Sequence, residues 1–360
     1  MRNRNIGVAQ CLLLSILPLC LTFTAQAQTY KFSTLYSFKN NGKDPSVPSS
    51  LILSADGNLY GTSASGGTHG AGTVFKITTK GALTVLHSFN GSTEGSAPNS
   101  VARDIRQGNI YGTTPSTVFK MVAGKNGAYA LSTLYSGTTV GGFQSATLDS
   151  SSNLYGIAQT CTTGPINPCL FEIPKSGEWE VIYSFVSGDS YSLLGNILIN
   201  NSGDLYVSAA YGGTDFYGYV LEIGNGIQVG PPDFSFPDSL RQDASGDIYG
   251  LATEYADSSP PVYGSVWETT VDGVSSTLYS FTDGSSPGGS FSIDKAGNVY
   301  GTVFGTAWSV FKVTPGGALS TIYPGSVNAG LVMDSAGNLY GTTNGGANGL
   351  GSVYKLTLVK

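Results

Sequence analysis

The phrase Gly57-Asn58-Leu59-Tyr60-Gly61-Thr62 returns in altered spelling seven times along the chain. The tyrosine stands in every copy, as Tyr60, Tyr111, Tyr155, Tyr206, Tyr249, Tyr300 and Tyr340. Successive tyrosines are 51, 44, 51, 43, 51 and 40 residues apart, a period that suits four-stranded propeller blades. Each copy belongs to a unit of four short apolar segments, in the first unit Ser50 to Leu53, Leu59 to Thr62, Thr73 to Ile77 and Leu83 to Phe89. All are strand-length and bounded by Gly, Asn, Ser or Asp. Beyond residue 27 no segment of ten or more residues has helical periodicity, so the chain is expected to be all-β.

The turn between the first two segments has a mechanism of its own. Four units read Asp-x-x-(Gly/Ser)-(Asn/Asp), beginning at Asp149, Asp243, Asp294 and Asp334. An Asp opening a type I turn, followed by Gly in the left-handed region, makes a tight bulged hairpin. Gly57, Gly108, Gly203, Gly246, Gly297 and Gly337 fill the glycine position, with Ser152 the exception, while Ser54, Ile105 and Asn200 stand at the Asp position elsewhere. The carboxylates are therefore read as turn formers ahead of calcium ligands, and no metal or other cofactor is expected.

The third segment recurs as Val74-Phe75-Lys76, Val118-Phe119-Lys120, Leu170-Phe171-Glu172 and four similar triplets. Adjacent apolar residues on one strand point to opposite faces, so both faces of each small sheet must be buried, as blades stacked in a ring require. The last unit lacks a fourth segment, and a matching one stands near the other end at Phe32 to Phe38. The prediction is a seven-bladed β-propeller over residues 28–360, a single domain whose N-terminal strand completes the last blade and closes the ring. The unit around 224 to 240 is degenerate, with Phe234-Ser235-Phe236 as its weak fourth segment.

Gly-Thr-Val-Phe-Lys at 72 to 76, Leu-His-Ser-Phe at 86 to 89, and Gly-Asn-Leu-Tyr-Gly-Thr at 57 to 62 and 337 to 342 resemble the Gloeo/Verruco (GloVer) extracellular tandem repeat. The resemblance covers most of residues 32 to 358 and implies an exported bacterial repeat protein. It brings no catalytic residues to carry over.

Residues 1–27 read as an export signal: Arg2 and Arg4, an apolar stretch from Cys11 to Phe23, and Ala25-Gln26-Ala27 as a cleavage site. The expected location is secreted or periplasmic, with no membrane span after cleavage. Removal of those residues leaves 15 Lys and Arg against 23 Asp and Glu, a net charge of −8. Without clustered Lys and Arg, nucleic acid is a poor partner. Cys161 and Cys169, the cysteines left after residue 27, are read as a disulfide in preference to a redox or metal pair.

Strand alternation puts the loops joining segments one to two and three to four on one face, where they are mostly short and uniform. Loops two to three and four to one share the other face and vary, which makes it the candidate binding face. Tyr211, Phe216, Tyr217, Tyr255, Tyr263, Phe304 and Trp308 fall there, beside Asp215, Glu254 and Asp257. Flat aromatic faces next to acids suit a glycan or the flank of a cell-surface protein, and the same rings could instead cap the blade core. His69 and His87 are the two histidines. His87 takes a place held by tyrosine in other units, and His69 sits in a Gly-rich loop, so a Ser-His-Asp triad has no support. Glu94, Asp189, Glu254, Asp257 and Asp283 leave open a hydrolase or lyase built on paired carboxylates. A non-enzymatic binding protein, acting as a monomer, is the leading expectation, and a structural envelope protein is the third.

Overall fold

The computed structural model describes residues 28–137, 140–161, 168–185, 196–209, 218–230, 237–253, 263–328 and 330–359. The expected export signal lies outside them. The strands form seven antiparallel four-stranded sheets. Blade one contains Pro45–Leu53, Asn58–Gly66, Thr73–Thr78 and Leu83–Ser88 in that spatial order. The innermost strands of the others are Ser100–Arg103, Gly141–Leu148, Ile197–Ile199, Pro237–Gln242, Ser286–Ile293 and Leu331–Met333. Each innermost strand touches that of the next blade, and Leu331–Met333 touches Pro45–Leu53, so the ring is closed. Thr29–Ser37 pairs with Ser352–Val359 as the outer strand of blade seven, from Thr29 opposite Val359 to Ser37 opposite Ser352.

The tight turns explain why tyrosine recurs. Asp334 Oδ1 accepts from the amides of Ala336 at 3.0 Å and Asn338 at 2.9 Å, while the Gly337 amide donates to the Asp334 carbonyl at 3.0 Å. Gly337 has φ +81°, where a side chain would be strained. The Tyr340 hydroxyl, one strand on, donates back to Asp334 Oδ2 at 2.9 Å. Tyr300 does the same to Asp294 at 3.0 Å and Tyr60 to Asp56 at 2.8 Å. The anchor tyrosine thus fastens the strand to the turn that precedes it. Asn200 serves in blade four as the aspartates do elsewhere, accepting from the Ser202 and Asp204 amides. Ser152 takes the glycine position with φ +71°.

Two details differ from the sequence expectation. In blade two the turn is opened by Asp104, not Ile105. Asp104 Oδ1 accepts from the Arg106 and Gln107 amides, and the Asp104 amide reaches Asn109, one residue farther than in the other turns. In blade four the outer strand is Ile227–Val229, not Phe234 to Phe236. The Gly226 amide closes on the Glu222 carbonyl at 3.1 Å, so the chain reaches pairing distance at once. Residues 231–236 lie outside the described residues.

The core consists of apolar clusters seated between neighbouring blades. The phenylalanine that ends the fourth segment spans each seam it serves. Phe38 meets Phe75 edge-on at 5.6 Å, Phe89 meets Phe119 at 5.2 Å, and Phe281 meets Phe311 at 5.5 Å. Such a pair adds about 0.5–1.5 kcal/mol beyond burial. The N-terminal strand therefore completes blade seven and also anchors blade one. Cys161 and Cys169 form a disulfide, with Cα atoms 6.0 Å apart, across the loop between the second and third strands of blade three.

Candidate functional site

On the variable face, the hairpin joining Val299–Phe304 to Trp308–Val313 presents an aromatic pair. Phe304 is 50% exposed, and its ring lies 5.1 Å from that of Trp308, tilted by 50°. Trp308 is half-buried, and one side of it packs on the cluster of Tyr300, Val310, Val327 and Tyr354. Tyr263 is half-buried, with its amide bound to the Phe281 carbonyl at 2.8 Å. Tyr211, Phe216, Tyr217 and Tyr255, with Asp189, Asp215, Glu254 and Asp257, lie outside the described residues.

Two of the acids considered for catalysis hold loops. Glu94 Oε2 sits 3.1 Å from His87 Nε2 and accepts from the Asn90 amide at 3.1 Å. The Tyr36 hydroxyl on Asp44 at 2.8 Å repeats that arrangement one blade away, so His87 does stand in for tyrosine. Asp283 accepts from the Ser285 amide at 3.0 Å. His69 is exposed. Among the described residues no three His, Cys, Asp or Glu side chains come together as a metal site.

A cavity of ≈ 660 Å³ lies on the axis between the inner strands. Its wall mixes neutral polar groups such as Ser49, Gln144 and Thr147 with aliphatic ones such as Ile52, Val101 and Leu198, and its ionisable lining residues are Arg103 and Arg241. A second cavity of ≈ 420 Å³ opens on the short-turn face and is also lined by Arg241, beside Asp243, Asp294 and Lys295. Arg103 is neutralised: its guanidinium lies 3.3 Å from Asp56, donates to Ser54 Oγ at 2.7 Å and sits 4.6 Å over the Tyr60 ring. Arg241 is not.

Strand register makes the contrast sharper. The inner-strand residues directly opposite the seven anchor tyrosines are Ile52, Ala102, Thr147, Leu198, Arg241, Ser292 and Val332. Arg241 is the one charged member. Sequence reasoning passed over it: Arg241 stands eight residues before Tyr249, where five other units have Ile52, Thr147, Leu198, Ser292 and Val332 but unit two has Arg103, and only the register sets Arg241 apart.

On the other side of the same tyrosines the third strand carries Lys76, Lys120, Lys312 and Lys355 in blades one, two, six and seven, and Glu172, Glu222 and Glu268 in blades three, four and five. Lys120, Lys312 and Lys355 lie 5.2–5.6 Å over the rings. Burial and the Glu172 carboxylate push Tyr155 up to about 12, and burial with Glu222 does the same to Tyr206. The whole chain follows this division. Residues 138–285, which supply the strands of blades three to five, hold 17 Asp and Glu against two Lys and Arg, whereas 28–137 and 286–360 hold six against 13.

A family model described as the Gloeobacter/Verrucomicrobia repeat matches residues 20–221. Among curated proteins none matches in sequence. Similar solved structures include the extracellular domain of a hybrid two-component system from B. thetaiotaomicron, at 13% identity and TM-score 0.60 over 90% of this chain; the match takes in 39% of that longer chain. The WD40 β-propeller domain of Doa1 matches at 12% identity and TM-score 0.58, over 91% of this chain and 98% of that one. A structural genomics protein of unknown function from Bacteroides thetaiotaomicron matches at 14% identity and TM-score 0.51, over 92% and 76%. At these identities the likeness concerns the fold.

Proposed function

Since the chain belongs to the Gloeobacter/Verrucomicrobia repeat family, we propose that it is an exported, non-enzymatic propeller that binds glycan or a cell-surface protein at its variable face. The observation that carries this reading is the Phe304–Trp308 pair, a large aromatic surface left open on a short hairpin. Exposed aromatics at a rigid hairpin cost little entropy to immobilise and stack on the apolar faces of sugars or on a protein flank. The disulfide suits an oxidising compartment, in keeping with export after residue 27. A monomer suffices for such binding.

A glycan array and a cell-surface pull-down with residues 28–360 test the proposal. Wild type is expected to retain ligands, and Phe304→Ala with Trp308→Ala to bind them about tenfold more weakly or worse, the effect of losing about 1.4 kcal/mol. A melting curve checks that the variant is folded. Unchanged retention by the folded variant would remove the site. The carboxylate-pair hydrolase is less favoured, because Glu94 and Asp283 are already engaged in holding loops.

A further inference from the structure

Arg241 rises from the inner strand of blade five, and its Nε donates to the Phe291 carbonyl of blade six at 3.0 Å. The equivalent bond one blade on is made by a serine, Ser292 Oγ to the Leu331 carbonyl at 3.2 Å. Strapping one blade to the next therefore requires only a hydroxyl. The guanidinium exceeds that need, and its two Nη groups make no hydrogen bond to any described residue.

Nor is the guanidinium in an ion pair. Among the described residues the ion pairs are His87–Glu94 and Arg103–Asp56. The acids along the wall keep their negative charge but are bonded to backbone amides and not to the guanidinium. Asp238, on the same strand, accepts from the Gly289 amide at 2.6 Å. Asp243 accepts from the Ser245 and Asp247 amides, and Asp294 from the Ala296 and Asn298 amides. Lys295, at the same mouth, adds a second positive charge. The Arg241 side chain is exposed to the channel, so its fork is open to a ligand. Desolvation by the channel wall lowers its pKa, and a guanidinium so placed stays charged. It is an accessible cation with no acid paired to it among the described residues. Its retention here is notable because residues 138–285 have only Lys175 as another base.

We propose that Arg241 is the anchor of an anion site in the axial channel, and that the ligand class is a carboxylate monoanion on a small polar molecule. In the channel cavity Arg241 is the one ionisable residue without an ion-pair partner among the described residues, which matches one negative charge. The planar fork of Nη groups pairs with the two oxygens of a carboxylate. The remaining wall alternates hydroxyls with aliphatic side chains, which suits a small hydroxylated body with apolar ring faces, in a volume of ≈ 660 Å³. The acidic arc of blades three to five disfavours dianions. This site is separate from the Phe304–Trp308 pair, so either can fail without the other.

The test measures thermal shift and calorimetric binding on residues 28–360 at fixed ionic strength. The probes are acetate and glucuronate, with sulfate and phosphate as other anions and glucose as the neutral control. Acetate and glucuronate are expected to raise the Tm with dose, with glucuronate the stronger and glucose inert. Arg241→Ser, which supplies the group that blade six already uses, is expected to abolish the shift while melting, ligand-free, at or above the wild-type temperature. Arg241→Lys is expected to weaken glucuronate about tenfold, through loss of the fork. The proposal falls if neither carboxylate shifts wild type, if only sulfate or phosphate does, if Arg241→Ser retains the response, or if that variant melts well below wild type, which would make Arg241 a strap and nothing more.

Discussion

At the scale of the residue, the aspartates that open the turns do most of the local work. Burial pushes the Asp334 carboxyl up, but hydrogen bonds from Asn338, Tyr340 and Ala336 outweigh it and leave its pKa below the ordinary carboxylate value of 3.8. Asp56 and Asp104 are lowered in the same way. A carboxyl depressed by folding stabilises the native state above its unfolded pKa, and that contribution is lost as pH falls through the folded value. Wild type should therefore lose Tm as pH drops from about 4 toward 2. Asp334→Asn should melt lower at pH 7 and show a shallower acid limb; an acid limb of unchanged depth would separate Asp334 from the effect. These turns were legible in sequence because an Asx turn is a local event. Asp104 was misplaced by one residue because its turn is longer by one, which only the hydrogen bonds reveal.

At the scale of the element, six of the seven blades are built on a glycine and an aromatic that face one another. Gly61 lies opposite Phe75, Gly112 opposite Phe119, Gly156 opposite Phe171, Gly250 opposite Trp267, Gly301 opposite Phe311 and Gly341 opposite Tyr354. A Cβ on Gly156 would run into the Phe171 ring. Blade four solves the same packing in reverse, with Val207 opposite Leu221. Gly156→Val should thus cost about 3 kcal/mol by overpacking, and adding Phe171→Leu should recover about 1–2 kcal/mol of it, a coupling expected of residues in contact. Chemical denaturation of the two single variants and the double variant measures it, and strictly additive costs would sink the pairing. The sequence displayed both spellings, but their equivalence depends on register, which no single strand encodes. Arg241 was overlooked for the same reason: its oddity is visible only against the six residues that face the other anchor tyrosines.

At the scale of the molecule, the ring was readable because seven units and a displaced fourth segment leave little other geometry. Deleting residues 28–38 removes the outer strand of blade seven and also Phe38, which is fully buried against Phe75. Losing a buried Phe side chain costs about 3–5 kcal/mol by itself, so the Tm should fall by about 10 °C or more; a variant that melts like wild type would leave the seam without a role. The candidate site was less readable. Four of the seven ring-bearing residues first singled out lie outside the described residues, and the channel became visible only once the inner strands were set side by side. The two charge arcs have a further consequence. Opposite signs on opposite sides of a ring make a dipole lying in the plane of the disc. Beside an anionic polymer the molecule would stand on its rim with the basic arc inward, leaving both mouths of the channel open to the fluid.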